Sequence, residues 1–494
     1  MTKRIGILLV LAFVLAIPFL LRREGELVAP DALPLVILSP HNKAIQYEYE
    51  QAFRKWHRAR YGRDVDIDWR NLGGTSEIVR FIDGEYEARK DLPEAGIGVD
   101  LFFGGGQYDH GKQARKGHTV PCGLRDRHPE WLAEEVLPIN ISGEWLYDKG
   151  DRWYGCCLSS FGLCYNEDVL RDKAINIVPR QWEDLGHPEL FREIALADPT
   201  KSGSITKAFE MLIQQQMALE VAAAKLAPEE AGDAVLSAGW ARAMRAIRMI
   251  AGNARYFTDS ASKVPIDVSH GNAAAGMCID FYGRFQSETV ERNENTTRMK
   301  YVTPIGGSSV SADPISMLRG APHAELARQF IDFCLSPDGQ KLWNYRVGTP
   351  GGPERYALRR LPIRKDMYAP EHRRYMSDAQ VYPFQTARAF TYQPQWTARL
   401  FGLIRVLIRT MCMDTHRELQ TAWKAIIARG GPDACPEAMR ILCELPPEAG
   451  YEQARTETVK RMRDKLEEVR LVRRWVLFFR QQYRAAAAAA GRES

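Results

Sequence analysis

An unbroken apolar run from Ile5 to Leu21 opens the chain, with Lys3 and Arg4 before it and Arg22 and Arg23 after it. A charged start followed by an apolar stretch is the pattern of a secretory signal, and the run is near the short limit for a membrane span. No small-residue cleavage site follows. Residues 1–24 are therefore expected to be an uncleaved signal anchor, a transmembrane helix that tethers an exported body. From residue 35 short β-branched runs alternate with longer amphipathic stretches. Residues 35–39, 65–69 and 99–103 read as strands. The stretch 43–60 reads as a helix with Tyr47, Phe53 and Trp56 on its apolar side. Gly73 to Glu77 is a turn feeding a second helix, with Thr75 or Ser76 as its N-cap. Strand, helix, strand, helix, strand defines a parallel α/β sheet.

After Pro121 two short strands are expected around 152–154 and 159–165, then a strand at 194–197. Helices follow at 205–219 and 234–250, then a strand at 277–281 and an amphipathic helix at 324–335. This second series makes another α/β lobe. From about Tyr368 strand signals cease. Val459, Met462, Leu466, Val469, Val472, Val476 and Phe479 recur at helical spacing opposite a basic face. That stripe predicts a helix clasping the α/β body, with pairing to a partner helix as the other reading.

Composition narrows the picture only modestly. The chain of 494 residues carries 67 Lys+Arg against 62 Asp+Glu, a net +5, too small an excess for a protein that coats nucleic acid. Nine cysteines are too few for a disulfide scaffold, and adjacent Cys156 and Cys157 read as two buried thiols. There is no GxSxG elbow, HExxH, CxxC, GxGxxG or phosphate-loop lysine. His41, His110, His118 and His270 are scattered. No catalytic set, metal set or cofactor is therefore expected. Three loops share one feature: Gly73–Ser76, Gly104–Gly106 and 200–204 place Gly, Ser or Thr where a strand ends and a helix begins. Free backbone N–H groups at helix starts favour an anion, and hydroxyls add donors.

The segments LVILSP, GGTSE and VDLFFGGGQYDHGKQARKG resemble the type II periplasmic solute-binding proteins of ABC importers. The subgroup is that of ferric-iron and phosphonate or phosphate-type binders. RWYGCCLSSFGLCYNEDVL, PRQWEDLGHPELFREIALADPTKSGS, FTDSASKVPIDVSHGNAAAGMCIDFYGR and PHAELARQFIDFCLSPDGQKLW extend the resemblance to about residue 364. It implies two α/β lobes joined by hinge crossover strands, lobe 1 being 35–137 and 260–365 and lobe 2 being 138–259. Residues 366–494 form an all-helical extension outside the family pattern. By motif position it implies ligand contacts from Ser39, Thr75, Ser76, Ser159, Ser160, Ser202, Gly203, Ser204, Asp280 and Tyr282.

The implied function is capture of a small anionic or polar solute and its delivery to an ABC permease. The protein would act on the periplasmic side of the inner membrane, tethered by its anchor or, alternatively, cleaved and secreted. No nucleic acid is expected as a partner. Ferric members carry adjacent tyrosines where this chain has Phe281-Tyr282. That departure favours an anion or polyol over Fe(III), because paired phenolates are the hard ligands that Fe(III) takes. A ferric-ion receptor is one alternative. A membrane-tethered sensor or scaffold whose C-terminal helices dock a partner is another, and an enzyme is the least favoured.

Overall fold

The computed structural model describes residues 31–92 and 94–492. The anchor expected over residues 1–24 lies outside the described residues. Among those described, no helix is long and apolar enough to cross a membrane.

Strands β1 (Leu33–Leu38), β2 (Val65–Arg70) and β3 (Leu101–Phe103) alternate with helices α1 (Lys43–Tyr61) and α2 (Thr75–Glu87). β2, β1 and β3 are parallel neighbours, as alternation with helices requires. Asn42 caps α1 by accepting from the Ile45 amide at 3.0 Å. Gly62, at φ 68°, ends it in the left-handed region. The N-cap of α2 is Gly74 rather than Thr75 or Ser76, so both hydroxyls lie within the first turn and are free for other partners.

The apolar stretch after Trp153 forms β7 (Tyr154–Ser159) and β8 (Phe161–Asn166), separated by Ser160 alone. β7 joins the first sheet, whose order is β14-β7-β13-β3-β1-β2, with β4 (Thr119–Val120) off this path, paired to β13. β8 joins a second sheet, ordered β10-β9-β11-β8-β12. These strands are β9 (Ile194–Ala197), β10 (Ala254–Thr258), β11 (Ala275–Ile279), β12 (Met299–Val302), β13 (Ser311–Leu318) and β14 (Leu361–Pro362). The hairpin β5 (Asn140–Ile141) and β6 (Glu144–Trp145) stands apart.

The chain thus leaves the first sheet at Ser160 and returns at Ser311, not near 137 and 260. Residues 260–302 go with the second sheet because β11 and β12 both pair β8 antiparallel. A strand buried on both faces looks the same from either sheet, which is why this boundary did not show in the hydrophobic pattern.

The second unit is built on α4 (Gly203–Ala223) and α5 (Asp233–Asn253). They approach closely at Gly239, where a Cβ would lie 2.4 Å from the Met217 Cα. The C-terminal helices α9 (Phe401–Ile408), α10 (His416–Ala428), α11 (Pro436–Cys443) and α12 (Lys465–Ala490) complete the same hydrophobic core. Trp423 of α10 donates to Asn253 Oδ1 at 2.8 Å, and its indole fits because Gly252 has no side chain. Buried Arg248 donates to the carbonyls of Cys443 and Glu444 at 2.8 and 2.9 Å, closing the end of α11.

The helix α12 clasps the body through a face that keeps Phe479 of the predicted stripe but is rotated away from its other members in this helix. Leu471, Trp475, Phe479, Tyr483 and Ala486 are buried, whereas Leu466 and Val469 are 59% and 65% exposed. Trp475 and Tyr483, one turn to either side of Phe479, bury more surface than Leu466 and Val469 would, and area decides the face.

Candidate functional site

Between the two sheets lies a cleft of about 1470 Å³. All three predicted loops reach it. Gly73, Gly74 and Thr75 come from the start of α2, Gly105 and Gly106 from the start of α3 (Gln107–Arg115), and Ser202, Gly203 and Ser204 from the start of α4. Three helix N-termini therefore converge on one space, each contributing a partial positive charge. The mouth is narrow: a Cβ at Gly74 would lie 2.6 Å from the Lys201 carbonyl oxygen across the cleft.

Two of the glycines are required by backbone shape. Gly104 and Gly105 have φ of 99° and 104°, a region that side-chain-bearing residues avoid. A Cβ on Gly104 would meet the His41 ring at 2.7 Å, and one on Gly105 would meet Thr75 Cγ2 at 2.7 Å. Gly104→Ala or Gly105→Ala should each lower stability by about 1–3 kcal/mol, read from urea unfolding; unchanged midpoints would refute the constraint.

The predicted contacts divide into two groups. Thr75, Ser159, Ser202, Gly203, Ser204 and Tyr282 line the cleft. Ser39 is buried beneath it, its hydroxyl accepting from the His41 amide at 3.1 Å. The Ser76 hydroxyl accepts from Arg405 at 3.2 Å. Ser160 and Asp280 face the other side of the crossovers, where Asp280 is held by Arg284 at 3.0 Å and Ser160 lies 3.4 Å from it. Ser160 and Arg284 border a separate cavity of about 700 Å³ there.

The floor of the cleft holds a charged group that the motifs did not reveal. Arg360 is ion-paired with Asp313, lies 3.4 Å from Cys157 Sγ, and stacks its guanidinium 3.9 Å over the Phe281 ring. His41 Nε2 is 3.5 Å from Asp313 Oδ2. Burial works against the Asp313 carboxylate, but Arg360 and then His41 outweigh it and hold the carboxyl at about 2. Burial also lowers His41, so the ring stays neutral at pH 7. His41 Nδ1, Ser159 Oγ, Asp313 Oδ1 and Arg360 Nε are buried without hydrogen-bond partners among the described residues. Unpaired buried polar atoms are costly, and their gathering at the base of a cleft marks where a polar solute would be held.

The signal for this group was present in part. Asp313-Pro314 places a carboxylate and a proline inside a buried strand, with a register shift against β7 between them. Nothing in the sequence connects it to Arg360.

Higher in the cleft, Lys207 binds Glu144 at 2.8 Å and Glu210 at 3.0 Å, with its ammonium 3.7 Å over the Tyr392 ring. Burial opposes the Lys207 charge, and the two carboxylates outweigh it, so the amine stays protonated.

In all, eleven lysines and arginines line the cleft against five Asp and Glu. Arg115, Lys149, Lys201, Arg399 and Arg463 have no carboxylate at ion-pair distance among the described residues. The mild net charge of the chain thus conceals a strongly positive cleft.

Two α/β units joined by crossovers around a polar cleft define a two-lobed binding protein. The profile of the bacterial extracellular solute-binding proteins matches residues 116–378, more than half of the chain, and the chain belongs to that family. It is 24% identical over 256 residues to an uncharacterized protein of Haemophilus influenzae, covering 52% of this chain and 62% of that one. It is 25% identical over 185 residues to the phosphoglycerate transport regulatory protein PgtC of Salmonella typhimurium, covering 37% and 39%. The chain therefore spans less than two thirds of the length of these relatives. The substrate binding protein of an ABC transporter from Agrobacterium tumefaciens shares the fold, with a TM-score of 0.52 at 16% identity over 76% of this chain and 94% of that one.

Proposed function

We propose that this protein is the extracytoplasmic solute-binding component of an ABC importer. It captures a small anionic solute between its lobes by hinge closure and passes it to a membrane permease on the periplasmic side of the cytoplasmic membrane. The observation that carries the reading is the excess of cations over carboxylates in a cleft where three helix N-termini meet. The Salmonella relative is named for phosphoglycerate transport, and a small phosphorylated acid has the charge and hydrogen-bonding capacity that this cleft matches. A bare Fe(III) is disfavoured, because Tyr282 follows directly on the Phe281 ring that carries the Arg360 guanidinium. A fixed cation beside the candidate phenolate repels a metal cation.

A thermal-shift panel tests the reading with 3-phosphoglycerate, inorganic phosphate, glycerol, spermidine and ferric citrate. A binder present at 100 times its Kd should add about 2.7 kcal/mol, and the anions should be the binders. Stabilisation by spermidine or glycerol alone would overturn it.

A further inference from the structure

The stretch that matches the family ends at residue 378, and the helices beyond it touch both halves of the cleft. Ala387 still packs in the core of the first unit, while Phe390 packs in that of the second. The chain therefore crosses between the units a third time, after the crossings at Ser160 and at residues 303–310. This third crossing is fastened on both sides. The Tyr392 amide donates to the Ser142 carbonyl at 2.8 Å in the β5–β6 turn, and its hydroxyl donates to Glu210 of α4 at 2.8 Å. Tyr392 and Pro394 form part of the cleft wall.

One turn into α9, Arg405 reaches both units again. Its Nη1 donates to Ser76 Oγ of α2 at 3.2 Å, and its Nε donates to Thr206 Oγ1 of α4 at 3.2 Å. Its Nη2 lies 3.8 Å from Asp109 of α3, a buried carboxylate. Beside it the Phe401 ring sits 4.7 Å from that of Tyr108.

We infer that the C-terminal extension is a closing element of the solute cleft, with Arg405 as the positioning residue that fastens the two lobes across its mouth. The inference rests on the hinge closure proposed above. If the lobes part, Ser76 and Asp109 move away with the first unit while Arg405 stays with the second. The closed state alone then contains both charge-assisted contacts, and a state with additional contacts is the one they favour.

The test is hydrogen exchange on the full chain in detergent, without solute. In Arg405→Gln the amides of residues 73–78 and 200–206 should exchange about tenfold faster or more. Those of β9 and β11 should keep their rates. Arg405→Lys, which retains the charge but not the three-way reach, should fall between. Ser76→Ala and Asp109→Asn remove only partners in the first unit and should loosen the same two loops, so the test does not hang on the folding of one variant. Unchanged loops across the set overturn the clasp, as does a uniform rise in Arg405→Gln that includes β9 and β11 while Ser76→Ala leaves the loops untouched. Because no solute is present, the result is separate from the ligand panel. A panel without an anionic binder, alongside loosened loops, rejects the anion reading and keeps the clasp.

Discussion

Arg360→Gln is expected to lose about 3–5 kcal/mol of stability and to abolish solute capture. The guanidinium is 5% exposed and is the principal partner that keeps the Asp313 carboxylate charged in a buried setting. Glutamine leaves that charge unpaired, and the uncompensated burial dominates the loss. The pH dependence separates this cause from simple loss of packing.

In the native protein the Asp313 carboxyl is lowered from 3.8 to about 2. Its contribution is thus fully present above about 3.8 and disappears as the pH falls through about 2. Without Arg360, burial is left as the largest influence and raises the carboxyl above its unfolded value. The sign then reverses, and stability lost at neutral pH is partly regained on acidification toward 5. Urea unfolding of both proteins between pH 7 and 5 reads this out. The double variant Asp313→Asn with Arg360→Gln should recover part of the loss, since no buried charge remains. If the double variant is no more stable than Arg360→Gln, the unpaired carboxylate is not the cause.

Trp475→Ala should cost about 3–5 kcal/mol, and truncation after residue 450 should prevent the second unit from folding. The Trp475 indole is 1% exposed in the core that also contains β9, β11, α4 and α5. Removing α12 would bare Trp475, Phe479 and Tyr483 partners over the whole back of that unit. Val469→Ala is the control: at 65% exposure it should stay within about 0.5 kcal/mol of wild type. Urea midpoints compare the three. A truncated protein that unfolds at the wild-type midpoint would show that the extension is a separate appendage.

The parallel half of the first sheet was legible because β1 and β2 alternate with amphipathic helices and their loops carry turn residues. The three glycine- and hydroxyl-rich loops were legible for the same reason, and the structure brings them to one cleft. What did not show has a physical source in each case. Tyr154 to Asn166 is buried throughout and reads as apolar runs on both sides of Ser159-Ser160, so no change of period marks the passage from one sheet to the other at Ser160. Ser39, Ser76, Ser160 and Asp280 are each next in sequence to a residue that lines the cleft, and a motif fixes position along the chain but not the direction of a side chain. His41, Asp313 and Arg360 are far apart in sequence, and each alone looks ordinary; their chemistry arises only from being buried together. In α12 the predicted stripe and the buried face share Phe479, and the aromatic area of Trp475 and Tyr483 turned the helix away from Leu466 and Val469.

The way the second core is assembled also governs when the protein can fold. Its strands are complete at Val302, yet its interior is filled by residues from Phe390 to Ala490. During synthesis that half must wait for the residues up to Ala490 before it can bury its apolar surface, so it remains a loose chain while the first unit is made. Domains fold as units once their sequence has emerged. The C-terminal helices thus set the point in the sequence at which the second unit can close its core, as well as forming part of the folded wall.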